Sequence, residues 1–285
     1  MILVSGVTGR VGQATAGALL RDGHAVRGLV RDSRRLEDKN LDGLEVATGD
    51  LAEASSLDGA MSGVSSALLV TANSERQLEL EGNFVAAAKK AGVRHIVKIS
   101  SMEAGPSARA PIPKIHYAVE ELIRQSGMDW TMLQPNFFMQ NLLMYAQSIA
   151  ASDQFALPLG TARAAFVDCR DVGEAAAAVL CGNGHENRTY TLTGKELQSF
   201  RQVESVLTTV CGRKIRYVDQ PPEEFRAFLA QFVKSDWHVN AICELFAEIK
   251  AGALESTSKD LANLLGRAPT TLEAFIQRYR MAFGQ

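Results

Sequence analysis

The chain opens on Met1-Ile-Leu-Val-Ser, an apolar run that breaks at once into glycines at positions 6, 9 and 12. An apolar strand passing through closely spaced glycines into a helix leaves few folds open. Gly6 would turn the chain sharply off a strand at 1–5, Gly9 would let the backbone approach a pyrophosphate, and Gly12 would let a helix at 10–22 pack on the strand. The unpaired N–H groups at that helix N-terminus would then face the phosphates. The spacing is Gly-x-x-Gly-x-x-Gly rather than Gly-x-Gly-x-x-Gly, and an ordinary βα turn is the alternative reading. The alanine-rich helix from Gln13 to Leu20 and a second strand from Ala25 to Val30 favour a mononucleotide-binding unit.

The second strand ends Leu29-Val-Arg-Asp32. Arg31 stands where a fold of this kind carries an acidic residue for the ribose 2′-hydroxyl, and a cation there suits a 2′-phosphate. Arg10, Arg34 and Arg35 add positive charge to the same neighbourhood, and a guanidinium can grip phosphate in a bidentate fork. NADP(H) is therefore expected, with NAD(H) the less favoured cofactor. Asp32 keeps NAD open, because it can serve as the ribose carboxylate if the strand runs one residue further; a solvated arginine loop is the bland reading.

Strand-like runs recur at 1–5, 25–30, 44–48, 65–71, 94–100 and 129–134, with helical segments at 10–22, 75–91 and 113–126. This alternation predicts an α/β fold, a doubly wound parallel sheet of the Rossmann type covered on both faces. Leu78, Phe84, Val85 and Ala88 are read as the core face of helix 75–91. The strand exits should then carry the ligands. They hold Asp50 and Leu51, Thr71, Ala72 and Asn73, Ser100 and Ser101, and Pro135 to Phe138. Asp50 suits either an adenine amine or the cap of a following short helix.

Beyond residue 150 the rhythm changes. A Pro/Gly-containing stretch at Leu157 to Gly160, a helix from Asp171 and a strand from Arg188 to Thr193 precede helical segments at 199–211, 221–232, 236–251 and 271–281, around a short strand at 214–218. The expected division is 1–150 as the dinucleotide-binding domain, with returning elements from 163–195, and 151–285 as a smaller, mostly helical lobe over the strand ends.

The formal charge is −2 over 285 residues, with no long basic tract, so a nucleic-acid or membrane-surface partner is not expected. A small-molecule partner is expected, and a homodimer on general grounds. The four cysteines lack a Cys-x-x-Cys pair and the histidines lack ligand spacing, so no metal site is expected; buried thiols in a reducing, cytoplasmic setting are.

The segments Val4 to Gly12, Leu29 to Asp32, Lys98-Ile-Ser-Ser101, His116-x-x-x-Glu120, Trp130 to Pro135 with Asn136 to Asn141, Phe166 to Gly173, and Tyr190 to Gly194 resemble the NmrA-like branch of the atypical short-chain dehydrogenases/reductases. The likeness is to its quinone-reductase and triphenylmethane-reductase-like members. The resemblance implies that Gly6, Thr8, Gly9, Arg10 and Val11 bind the pyrophosphate, Arg31 the 2′-phosphate, Thr71 to Asn73 the adjoining ribose, and Asn136 to Met139 the nicotinamide. It places Asp171 at the start of a lobe-linking helix, where capping is its expected role.

Ordinary members of the wider superfamily use a Tyr-x-x-x-Lys pair. Here Tyr117 is followed by Glu121, and a carboxylate would raise a neighbouring phenol's pKa, the wrong direction for a base near neutrality. Ile115, Val119, Leu122 and Ile123 are expected to form the buried stripe of this helix, with Tyr117 pointing away. Lys114, one residue from the position where relatives place a lysine, is a candidate catalytic residue. So is His116, which stands one turn from Glu120 and can pair with it. A broken pair suits hydride transfer to an electron-poor acceptor such as a quinone or dye, with Phe137, Phe138, Trp237 or Phe232 supplying aromatic faces. It suits equally a non-catalytic NADP(H)-binding redox sensor that regulates a protein partner.

Overall fold

The computed structural model describes residues 1–284. Six strands alternate with helices through the first half of the chain: β1 (Ile2–Val4), β2 (Val26–Val30), β3 (Glu45–Thr48), β4 (Ser66–Leu69), β5 (His95–Ile99) and β6 (Asp129–Pro135). Then follow β7 (Gln154–Leu157), β8 (Arg163–Ala164), β9 (Arg188–Leu192), β10 (Gln198–Ser199) and β11 (Arg216–Asp219). Seven of them form one parallel sheet in the order β3-β2-β1-β4-β5-β6-β9. The chain winds outward from β1 to β3, then jumps back to the other side of β1 with β4. That reversal opens a crevice at the carboxyl ends of β1 and β4, where a doubly wound sheet receives ligands.

Helices cover both faces because both faces of these strands are apolar. On one side lie α1 (Arg10–Arg21) and, much later in the chain, α6 (Cys169–Cys181), packed on Val4, Leu68, Val97 and Leu133. On the other lie α2 (Leu57–Met61), α3 (Gln77–Lys90) and α4 (Pro111–Arg124), closing over Leu3, Leu69, Ile96 and Met132. In α3 the expected face is rotated: Phe84, Val85 and Ala88 are buried, but Leu78 is 42% exposed while Gln77 and Glu81 turn inward. The cause is an ion pair described below. In α4 the buried stripe is Ile112, His116, Val119, Glu120 and Ile123, with Ile115 and Leu122 only half-buried.

A second core sits beyond the carboxyl ends of the strands. It gathers α5 (Ala146–Ser152), α7 (Phe200–Cys211), α8 (Pro222–Leu229), α9 (Asp236–Lys250) and the short parallel pair β7–β11 around a shared apolar core rich in aromatic side chains. Phe137, Phe166 and Phe200 meet edge to face at 5.4–5.6 Å, the favoured geometry for aromatic rings. Helix α11 (Leu272–Arg278) adds Leu272, Phe275 and Ile276 to this second core, whereas α10 (Asp260–Leu265) returns to the sheet side. Leu261 joins the core under α6, and Arg278 pairs with the buried Asp168 at 2.7 Å.

Asp168, not Asp171, caps α6: its Oδ1 accepts from the Arg170 N–H at 2.9 Å. Asp171 lies inside the first turn and instead accepts from Arg267 (2.7 Å) and from the N–H of Thr270 (2.5 Å), fastening the loop before α11. Cys169 and Cys211 are buried, whereas Cys181 is exposed and Cys243 half-buried, because Cys181 ends α6 at the surface. Among the described residues no helix is long and apolar enough to cross a membrane.

Candidate active site

The glycine turn is dictated by contact. Gly6 has φ +57°, and a Cβ on it would stand 2.5 Å from the Val70 carbonyl oxygen. A Cβ on Gly12 would stand 2.3 Å from the Gly6 carbonyl oxygen, so α1 can begin this close to β1 only with glycine there. The Ser5 hydroxyl locks the crevice across the switch point, donating to the Val70 carbonyl at 3.1 Å and accepting its N–H at 2.8 Å. Gly9 is the N-cap of α1 and brings no side chain to it, so the helix N-terminus keeps its positive end open.

That end faces a cavity of about 710 Å³. Gly6, Thr8, Gly9, Arg10, Val11 and Gly12 form its floor; Arg31, Asp50, Leu51, Thr71 and Ala72 line it too. Ser5, Leu29, Val30, Arg35, Gly49, Val70, Ser74 and Leu80 complete the wall; of these the sequence pointed to Arg35 alone as facing a ligand. Asp32 is outside. Its carboxylate is gripped by Arg34 at 2.8 and 3.0 Å and caps the following turn, which lowers its pKa below the ordinary value. With that carboxylate committed, the charge facing the cavity at the end of β2 is positive, from Arg31 and Arg35. Asp50 closes its own turn by accepting the Ala52 N–H at 3.0 Å; it does not cap the short 3₁₀ turn 54–56.

A second cavity, about 320 Å³, continues from the first and shares Val11, Val70, Thr71 and Ala72 with it. It reaches Asn73, Ser100, Ser101, Glu103 and His116, and then Pro135, Asn136, Phe137 and Phe138. Leu245, Phe246 and Ile249 of α9, with Leu254, roof it. Phe246 thus takes the place expected of Trp237 or Phe232, which line no part of it; Phe232 is 60% exposed. The Asn136 amide is already used, Nδ2 donating to the Leu254 carbonyl at 3.0 Å and Oδ1 accepting the Phe137 N–H at 2.7 Å.

His116 is buried, with Nε2 3.1 Å from Asn73 Oδ1. Nε2–H therefore donates, and Nδ1 is left as a buried acceptor with no partner. Burial, and then the nearby Lys98 charge, hold its pKa well below the usual imidazole value. The expected pair with Glu120 is not formed. Gln134 and Arg124 take that carboxylate, each at 2.9 Å, while Asn73 takes the imidazole. Lys114 is exposed and lines neither cavity, because its place on α4 faces away from the sheet. Tyr117 is half-buried and also lines neither; Glu121, where a lysine would complete the pair, is held by Arg124 at 2.6 Å.

Two groups of consequence were given no role by the sequence pattern. Lys98, on β5, is fully buried and paired with Glu81 of α3 at 2.7 Å. The other oxygen of Glu81 accepts from the Thr71 hydroxyl at 2.5 Å and from Gln77 at 3.1 Å, so the pair fixes Thr71 where the two cavities meet. The second is Glu103, whose carboxylate side accepts from the Ser101 hydroxyl. Its visible signal is an acidic residue just past a strand exit.

The fit to a dinucleotide rests on this shape: a glycine cradle that a Cβ would fill, an uncapped helix N-terminus, a basic end, and buried polar atoms without partners at Ser74 Oγ and Ser100 Oγ. Fold and groove together define a dinucleotide-binding protein of the Rossmann class. The chain belongs to the NmrA-like family, whose model matches residues 1–276. It is 34% identical to an NAD(P)H azoreductase of Xenophilus azovorans, over 100% of this chain and 99% of that one. It is also 34% identical to a (4-alkanoyl-5-oxo-2,5-dihydrofuran-3-yl)methyl phosphate reductase of Streptomyces griseus, over 99% of each. Among solved structures, the NADPH complex of an NADPH-dependent quinone oxidoreductase from Escherichia coli superposes with a TM-score of 0.90 at 25% identity, covering 98% of this chain and 100% of that one. These relatives place the chain among the family's NAD(P)H-dependent oxidoreductases.

Proposed function

We propose that this chain is an NADPH-dependent oxidoreductase that transfers hydride to an electron-poor small molecule, such as a quinone or an azo or other dye-like compound, without a Tyr-x-x-x-Lys pair. The observation that carries the reading is the continuity of the two cavities through Val11, Val70, Thr71 and Ala72. One site is shaped for a nucleotide, and the next is a chamber of small-molecule size at its end, with apolar walls and a few polar groups.

In this reading the free N–H groups around Gly6, Thr8, Gly9, Arg10, Val11 and Gly12 hold the pyrophosphate. Arg31, with Arg35, holds the 2′-phosphate. Asp50 and Leu51 border the adenine, and Thr71, Ala72 and Asn73 the inner ribose. Ser100 and Pro135 to Phe138 border the nicotinamide, which supplies the hydride when bound. The chain's own work is to orient the partners and keep water out, with Phe137, Phe138 and Phe246 as walls. An acceptor that is itself strongly electrophilic needs less help than an alcohol or ketone would.

Purified protein with NADPH and a panel of quinones and azo compounds tests this. Acceptor-dependent NADPH oxidation, weakened by Arg31→Ala, is expected. Tight NADPH binding with no oxidation across the panel would overturn the reading in favour of a sensor.

A further inference from the structure

Hydride transfer to a C=O or N=N acceptor leaves an anion that needs a proton, and the chamber has to provide for it. Its lining contains two ionisable side chains, Glu103 and His116, and no cation. His116 is poorly suited to give a proton: Nε2–H is spent on Asn73, and Nδ1 is a bare acceptor. Lys98 lies near it but is fully buried against Glu81.

Glu103 is placed differently. It follows the exit of β5, is half-buried against the chamber, and is held by the Ser101 hydroxyl two residues before it. We propose that Glu103 is the general acid of this chamber, protonating the reduced acceptor while Ser101 fixes the orientation of the carboxyl group.

The electrostatics support the assignment. Burial pushes the Glu103 carboxyl above the usual range; the hydrogen bonds from Ser101 and from its own backbone oppose the rise, and the Glu248 carboxylate of α9 adds to it. Glu248 itself is anchored, accepting the N–H groups of Arg109 and Ala110 at 3.1 and 2.6 Å, so its charge stays beside the chamber. The surroundings thus favour the protonated form of the Glu103 carboxyl and the neutral form of the His116 imidazole.

The step balances. The acceptor takes two electrons and one hydrogen as hydride, and the π bond of its C=O or N=N opens onto the far heteroatom. The O–H bond of Glu103 breaks, its proton forms the new O–H or N–H bond, and its electron pair remains as carboxylate. Solvent returns the proton before the next turnover.

The inference rests on the reductase reading, and its test keeps the two apart. In ligand-free protein carrying ¹³C-carboxyl glutamate, the signal lost in Glu103→Gln should titrate above the exposed glutamates; titration with or below them overturns the assignment. In turnover with NADPH and a quinone, wild-type kcat should fall as pH rises through the acid's pKa. Glu103→Gln should lower kcat about 100-fold and lose that fall, while NADPH affinity by fluorescence moves less than about two-fold. A variant with the wild-type rate and pH profile overturns the proposal. A wild-type protein that oxidises no NADPH overturns the reductase reading and leaves the carboxyl titration as it was measured.

Discussion

The Lys98 ammonium lies 2.7 Å from the Glu81 carboxylate, and neither side chain has any surface exposed. Lys98→Met would strand a buried anion that also holds Thr71 and Gln77. Removing one partner of such a pair costs about 3–5 kcal/mol, whereas removing both charges costs far less. Urea unfolding should show that loss for Lys98→Met and its partial recovery in Lys98→Met/Glu81→Gln. Equal stability of the single variant and the parent would show that the pair contributes nothing.

Arg31 faces the large cavity with Arg35, while Asp32 is held outside by Arg34. Arg31→Ala should weaken NADPH binding by about 10–100-fold, the range for a lost charge-assisted hydrogen bond, and leave NADH nearly unchanged. Isothermal titration with both nucleotides measures the ratio. The same loss for NADH would place Arg31 somewhere other than the 2′-phosphate.

Gly12→Ala forces a methyl group against the Gly6 carbonyl, 2.3 Å away, with only backbone to yield. The start of α1 must move off β1, and nucleotide affinity should fall by at least about ten-fold, together with a stability loss of about 1–3 kcal/mol. Thermal melts with and without NADPH report both.

The buried, partner-poor His116 sets a pH dependence of stability. Its folded-state pKa is depressed below the ordinary 6.5, so the unfolded chain binds the extra proton first as pH falls. Its contribution is complete above pH 6.5 and is lost progressively below it, down to the folded pKa. His95 and His238 share the sign, and Glu103, raised, has the opposite one. His116→Asn should flatten the urea midpoint between pH 7.5 and 5; an unchanged slope would mean that His116 is not the sensitive group.

The cofactor half of the groove could be read from the chain because its demands are local. A strand, a glycine where φ must be positive, and a helix with no cap occur within twelve consecutive residues. The chamber was less legible because its geometry is set between elements. Glu81 and Lys98 are distant in sequence and meet only because β4 and β5 are neighbours under α3, and that meeting turned Leu78 outward. The His116–Glu120 spacing was right for a pair, yet Asn73 and Gln134, from other elements, took the two side chains. Asp32 beside Arg31 left the cofactor open until the rotamer of Arg34 was known.

The contact between Arg278 and Asp168 spans 110 positions, and the helix that Asp168 caps lies directly on α1. On a ribosome α1 is therefore made well before α6, the layer that covers it, and before Arg278, which pairs with the cap of that layer. Until residues 169–181 emerge from the exit tunnel, the apolar back of α1 has no lid, which makes nascent chains stopped short of α6 clients for chaperones.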